Sequence, residues 1–219
     1  MFDRIIFVAT STLIFAGLTQ SATAGDERDI RLVLQITVDG LRADLLNRYA
    51  NDFGIGGFKY LMHNGTVYSN AHNQHAHNQH AHTETIVGHT TLATGTFPSQ
   101  HGMVGNVIYD RQAGELSYNI VDEDAPLLPS REQSSTGDIY VIQDSYWFLL
   151  EEGLIAVMYG SPWRYDTHVP VIFSGPGIKP QQIQRIVHPV DVAPTIAKLL
   201  GMTAPASTQG TLLTEVINR

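Results

Sequence analysis

Hydrophobic and polar positions along the chain fall into short alternating blocks rather than one long periodic segment. The run 32–38 is apolar, rich in branched residues, and ends at Asp39-Gly40. That is the pattern of a buried parallel strand delivering a carboxylate at its C-terminal edge, the edge where ligands sit in open α/β sheets. Residues 41–49 predict a short amphipathic helix, and 57–63 a second one closed by Asn64-Gly65 as a C-cap. Runs at 103–109, 116–121, 139–143, 155–159 and 169–173 are strand candidates. A last helix follows Asp191 as N-cap, tolerates Pro194 in its first turn, and stops at Gly201 behind Leu199-Leu200. This order predicts an α/β layered fold, with a mainly parallel central sheet and flanking helices.

Two stretches break the pattern. Residues 71–82 hold Ala-His-Asn-Gln-His twice in tandem, then Ala81-His82, and so carry five of the ten histidines. A His-rich tract of this kind reads either as a metal binder or as a duplicated polar loop. No flanking carboxylate completes a chelate at fixed spacing, which favours the loop. The second stretch, 126–137, replaces the apolar period with Pro, Ser, Arg, Glu, Gln and Thr and reads as a loop or a junction.

Composition narrows the function classes. With 219 residues and 43% hydrophobic content the chain can bury one good core, so a single domain is expected. A net charge of −8 excludes a nucleic-acid surface, which needs clustered Lys and Arg. Small anionic substrates stay compatible, because bound cations override the global sign locally. There is no cysteine, so any metal must be held by Asp, Glu, His or hydroxyl oxygen. At the N-terminus, Arg4, the apolar run 5–18 and Ala22-Thr23-Ala24 predict a secretory signal over 1–24. The apolar run is shorter than the ~20 residues of a spanning helix. A periplasmic or secreted domain over 25–219, without stable membrane insertion after cleavage, is therefore expected.

The chemistry concentrates at Thr83-Glu84-Thr85-Ile86-Val87-Gly88-His89-Thr90, where a hydroxyl stands at a predicted helix start. A hydroxyl that attacks phosphorus needs a metal or a base beside it, and a helix N-terminus holds the anion. Asp39 lies upstream and Asn106 downstream. Each of these residue types alone also serves as a turn or cap residue.

The segments Val38-Asp39-Gly40-Leu41-Arg42, Phe53-Gly54, Gly56-Gly57-Phe58, Thr85 to Gly95, His101-Gly102 and Val104-Gly105-Asn106 resemble the amino-terminal part of the alkaline phosphatase superfamily. The nearest likeness is to its type I phosphodiesterase/nucleotide pyrophosphatase branch and the single-threonine bacterial alkaline phosphatases. The segment Gly160-Ser161-Pro162-Trp163-Arg164-Tyr165-Asp166-Thr167-His168-Val169-Pro170 resembles the part that carries the family's last metal-binding histidine. The resemblance implies a metal-dependent phosphoric ester hydrolase with two zinc ions and a small phosphoester substrate. It implies that Asp39 ligates one zinc, that Thr85 is the nucleophile bridging both, that Asn106 hydrogen-bonds a phosphoryl oxygen, and that His168 ligates the other zinc. His89, one helical turn beyond Thr85, is expected to be a helix residue rather than a ligand. A local backbone hydrogen bond would account for His101, and His188 is expected to be structural.

Other parts of the family pattern are missing. The family supplies an Asp-x-x-x-His pair and an Asp-His dyad from a middle segment, yet no histidine here has Asp four positions or one position before it. None of Lys59, Lys179 and Lys198 begins a Lys-x-Arg pair. An internal deletion with its junction near 129–137 is expected, leaving the fold incomplete. Unpaired sheet edges then predict a marginally stable monomer or a self-associating species. Three readings follow: a Thr-dependent phosphoric ester hydrolase, a catalytically impaired remnant of one, and a secreted metal binder acting through the His repeat.

Overall fold

A computed structural model of the chain describes residues 30, 32–73, 83–118, 142–148 and 158–217. The signal segment, most of the His repeat, the junction near 129–137, and parts of the strands expected at 116–121, 139–143 and 155–159 lie outside these residues. The described elements run α1 (Ala43–Arg48), α2 (Gly57–Asn64), β1 (Gly65–His72), α3 (Thr85–Thr94), α4 (Pro98–His101), β2 (Val107–Asp110) and β3 (Glu115–Tyr118). They continue as α5 (Arg164–Thr167), β4 (His168–Ser174), β5 (Gln181–Ile183), α6 (Val192–Leu199) and α7 (Thr214–Ile217). None of the described helices is long and apolar enough to cross a membrane.

The fold is α/β, as expected, but the described sheet is mixed rather than mainly parallel. Its three strands lie in the order β4-β1-β5. β1 runs antiparallel to β4, from Gly65 opposite Ser174 to His72 opposite His168, and parallel to β5. A separate hairpin joins β2 and β3, with Val107 opposite Tyr118. The run 32–38, expected as a buried parallel strand, has no ladder partner among the described residues. Leu32 is 79% exposed and Leu34 73%. A parallel strand is buried by strands beside it and helices over both faces, and the described residues supply too few of either.

The centre of the sheet is β1, which sequence periodicity did not reveal. Its polar positions are satisfied by neighbouring carbonyls: Thr66 Oγ1 donates to Lys179 O at 2.8 Å, Ser69 Oγ to Ile183 O at 3.2 Å and Asn70 Nδ2 to Gln184 O at 3.1 Å. Thr66 is buried and Ser69 and Asn70 half-buried, and each hydrogen bond offsets the loss of water. Gly65, expected as a helix C-cap, is extended (φ −124°). Its lack of a side chain serves a close approach instead, since a Cβ there would lie 2.5 Å from Phe173 O and 2.7 Å from Leu61 O.

Tyr68, Ala71, Val187, Leu213 and Val216 form the buried core, with Val171, Phe173 and Ile183 packed on it. Asp191, expected to cap α6, lies in the helical region at the end of a 3₁₀ turn (Pro189–Asp191). Its carboxylate accepts the His188 N–H at 2.9 Å, the Thr211 N–H at 2.7 Å and the Thr211 hydroxyl at 3.2 Å. It therefore fastens the C-terminal segment rather than the helix. Gly201 ends α6 in the left-handed region (φ +69°), as expected.

At the edge of the core, Arg185 grips Glu215 with two bonds, Nε to Oε1 at 2.6 Å and Nη2 to Oε2 at 2.8 Å. The Tyr68 hydroxyl donates to Oε2 at 3.2 Å. The guanidinium hydrogen bond holds the Glu215 carboxyl down at about 2. The folded pKa lies below the unfolded value of about 4.3, so this contribution to stability is fully present above that value and is lost as pH falls towards 2. Thermal midpoints followed from pH 5 to 2 should therefore drop more in the wild type than in Glu215→Gln. Parallel curves would show that the pair adds nothing to stability.

Candidate active site

α3 begins at Thr85 because Glu84 is still extended (φ −88°, ψ 159°) and a side chain caps the first turn from outside. Asn106 Oδ1 accepts the Ile86 N–H at 3.0 Å, and the Asn106 N–H donates to the Glu84 carboxylate. Asn106 thus ties the loop before β2 to the helix start. With Oδ1 accepting the Ile86 N–H, Nδ2 carries the two donors of this amide. At its far end α3 stops at Gly95, which is left-handed (φ +68°).

Asp39 meets Thr85 from the turn that follows the 32–38 run. Thr85 Oγ1 donates to Asp39 Oδ2 at 3.1 Å, which brings together two of the residues expected at the site. A third residue, which sequence reasoning did not single out, completes the cluster. The Tyr159 hydroxyl lies 3.0 Å from Asp39 Oδ2 and 2.5 Å from Thr85 Oγ1. Burial pushes the Tyr159 phenol up; the Thr85 hydrogen bond opposes this, while the Asp39 hydrogen bond and the charges of Asp39 and Glu84 add to it. Only the placement of Tyr159 at the end of an expected strand hinted at it, because strand ends in α/β sheets deliver side chains to sites.

The loop carrying Tyr159 is fastened on both sides. Ser161 donates its N–H to Asp166 Oδ2 at 3.0 Å and its hydroxyl to the same oxygen. Thr83 Oγ1 donates to Ser161 O at 3.2 Å, binding the loop to the entry of α3. Asp39, Thr85 and Tyr159 line a cavity of about 590 Å³ that extends along the 32–38 run to Phe58, Val171 and Ile196.

The expected zinc ligand His168 is engaged elsewhere. Its Nε2 pairs with the Ser69 carbonyl at 2.9 Å, and its ring stacks on His72 with centroids 4.5 Å apart. His89 is exposed on α3. His101 accepts the Met103 N–H at Nδ1 (3.1 Å) and pairs with Thr91 through Nε2 (3.1 Å), so its role is the expected local one. His188 Nδ1 donates to the His72 carbonyl at 2.7 Å, which fits a structural part. A catalytic zinc takes three protein ligands and a water. Asp39 offers a carboxylate and Thr85 and Tyr159 only hydroxyls, and among the described residues no three His, Asp or Glu side chains are close enough to hold a metal ion. This donor set does not fit a zinc ion.

Residues 33–197 match the family model of the type I phosphodiesterases/nucleotide pyrophosphatases. The chain belongs to that family. Within the family, it is 39% identical over 93 residues to the alkaline phosphatase PafA of Elizabethkingia meningoseptica, a stretch that covers 42% of this chain and 16% of that one. It is 34% identical over 99 residues to the alkaline phosphatase PhoK of a Sphingomonas species, covering 44% and 17%. The crystal structure of wild-type PafA superposes with a TM-score of 0.36 at 39% identity, over 40% of this chain and 16% of that one. The matched stretches thus span about a sixth of these relatives, from 16% to 17% of their length.

Proposed function

We propose that this chain is a phosphoric ester hydrolase in which the Thr85 hydroxyl is the nucleophile and small phosphoesters are the substrates. The observation that carries this reading is the Thr85 Oγ1 donation to Asp39 Oδ2 at the first residue of α3. Asp39 takes the hydroxyl proton as Oγ1 bonds to phosphorus, and the bond from phosphorus to the leaving oxygen breaks. Water then attacks the phosphothreonine, the phosphorus–Oγ1 bond breaks, and the proton returns from Asp39 to Oγ1. Asn106 Nδ2 and the Thr85 N–H at the start of α3 would bind the phosphoryl oxygens, the Ile86 N–H being held by Asn106 Oδ1. Family membership and the names of the relatives support this reaction class. The segment 1–24 supports export to the periplasm or the medium.

Zinc is the cofactor that the family resemblance implies, and when bound it would lower the pKa of a coordinated hydroxyl. The described donors fall short of its ligand number, so no step above passes through it. That shortage, with the missing Asp-x-x-x-His pair, favours a second reading: an impaired remnant that retains the helix-start anion site. A third reading rests on the His repeat alone, of which His75, His77, His80 and His82 lie outside the described residues.

One set of measurements separates the three readings. The purified full chain is assayed with an aryl phosphate and an aryl phosphodiester, before and after chelation and zinc addition. Peptide mass spectrometry then locates any phosphoryl group, and metal content is measured alongside. The hydrolase reading expects turnover with phosphate trapped on Thr85. An unmodified Thr85 without turnover under every condition would establish the remnant. Zinc retained by Asp39→Ala but lost on deletion of the repeat would establish the metal binder.

A further inference from the structure

The three oxygens of Thr85, Tyr159 and Asp39 form a closed ring at 3.1, 3.0 and 2.5 Å, and only two hydrogens are available to fill it. Asp39 as a carboxylate only accepts, while each hydroxyl donates once. The shortest edge, between Tyr159 and Thr85, must contain a hydrogen, since two bare oxygens repel at that separation. One hydroxyl therefore donates to the other, which donates to Asp39. Once the Thr85 hydrogen has passed to Asp39, the Tyr159 hydrogen can point at Oγ1 along the shortest edge of the ring, beside the proton that later returns from Asp39.

We propose that Tyr159 is a catalytic residue whose hydroxyl donates a hydrogen bond to Thr85 Oγ1 and stabilises that oxygen as it leaves phosphorus. The inference rests on the reading of Thr85 as the nucleophile. Two features of the fold hold the phenol in place for this. Its ring packs on Gly40, where an added Cβ would lie 3.4 Å from Cδ1. The loop behind it is pinned to Asp166 and Thr83. The two chemical steps depend on Tyr159 unequally. Phosphoryl transfer passes through a loose transition state in which charge gathers on the departing oxygen. With an aryl phosphate the departing oxygen in the first step is the phenolate, which carries its own charge well. In the second step it is Oγ1, a poor leaving group that gains most from a fixed donor.

The test is Tyr159→Phe in the full chain, which keeps the ring on Gly40 and removes the donor. Thr85 is phosphorylated with an aryl phosphate, the substrate is removed, and loss of phosphate from Thr85 is followed by peptide mass spectrometry. The expected result is a rate of loss about a hundredfold lower than in the wild type. A larger steady-state fraction of phosphothreonine and an unchanged thermal midpoint should accompany it. Equal rates of loss in the two proteins would overturn the role of Tyr159 and leave the hydrolase reading standing. If Thr85 takes no phosphate in either protein, both fall together.

Discussion

Thr85→Ala is expected to abolish turnover of an aryl phosphate, while Thr85→Ser keeps a measurable part of it. On the proposed reading the alanine variant removes the atom that would bond to phosphorus, and losses of a nucleophile are on the order of 10⁴-fold or more. Serine restores the oxygen but not the methyl group, whose branching stiffens χ1. Its hydroxyl therefore spends less time on Asp39, so kcat falls further than KM rises. The fold is untouched in either case, because Thr85 begins α3 but does not cap it; the capping acceptor is Asn106 Oδ1. Matching thermal midpoints with divergent rates would confirm that separation. Turnover undiminished in Thr85→Ala would place the nucleophile elsewhere and remove the basis for Tyr159 as well.

What the sequence made legible was the local chemistry of single segments, and what it hid was their assembly. The pairing of Asp39 with Thr85 was expected from the ordered series of segments that resembles the family, since a carboxylate at the end of an apolar run and a hydroxyl at a helix start each read alone as turn or cap residues. Asn106 was expected at the same place, and it arrives there as an acceptor for the Ile86 N–H. Tyr159 was invisible as a site residue because a tyrosine at the end of an apolar run reads equally well as packing; only the fold shows its hydroxyl against Thr85. His168 illustrates the opposite case. Its motif pointed to a metal, yet its backbone lies in register with His72, and the neighbouring strand occupies its ring and its Nε2. The central strand β1 escaped because its polar Thr66, Ser69 and Asn70 are satisfied by carbonyls more than a hundred residues away, which no local period records.

The exposed run 32–38 bears on stability through the same gap between segment and assembly. Its seven residues carry no charge, proline or glycine, and an exposed apolar run of that kind is a template for pairing with another chain. The expected self-association would therefore run through this edge. Its arrest by Leu34→Lys, read as a shift to monomer in sedimentation, would support that route. Association unaffected by a charge at this exposed position would assign it to another surface.

Gly210→Ala is expected to be the most destabilising of the small substitutions. Residues 208–211 thread between the end of α3 and the 3₁₀ turn, with the Gln209 N–H on Gly95 O at 2.8 Å and the Thr211 N–H on Asp191 at 2.7 Å. A Cβ on Gly210 would lie 2.1 Å from Val190 O, 2.6 Å from Val190 C and 2.9 Å from Asp191 Cα. These are backbone atoms of buried residues, Val190 being 2% exposed and Asp191 3%, so no side chain can turn aside to make room. Either the 208–211 segment lifts from Gly95 or the 3₁₀ turn shifts and the Asp191 carboxylate loses its N–H partners. Overpacking against immobile atoms costs about 3 kcal/mol, a drop of roughly 6–12 °C in thermal midpoint for a domain of this size. Gly88→Ala makes the internal contrast, because it adds the same methyl within α3 where nothing lies within 4 Å. There the gain in helix propensity should raise stability by about 1 kcal/mol. Opposite signs for one methyl group at two glycines would show that contact with the 3₁₀ turn, rather than glycine content, holds the C-terminal segment on the fold.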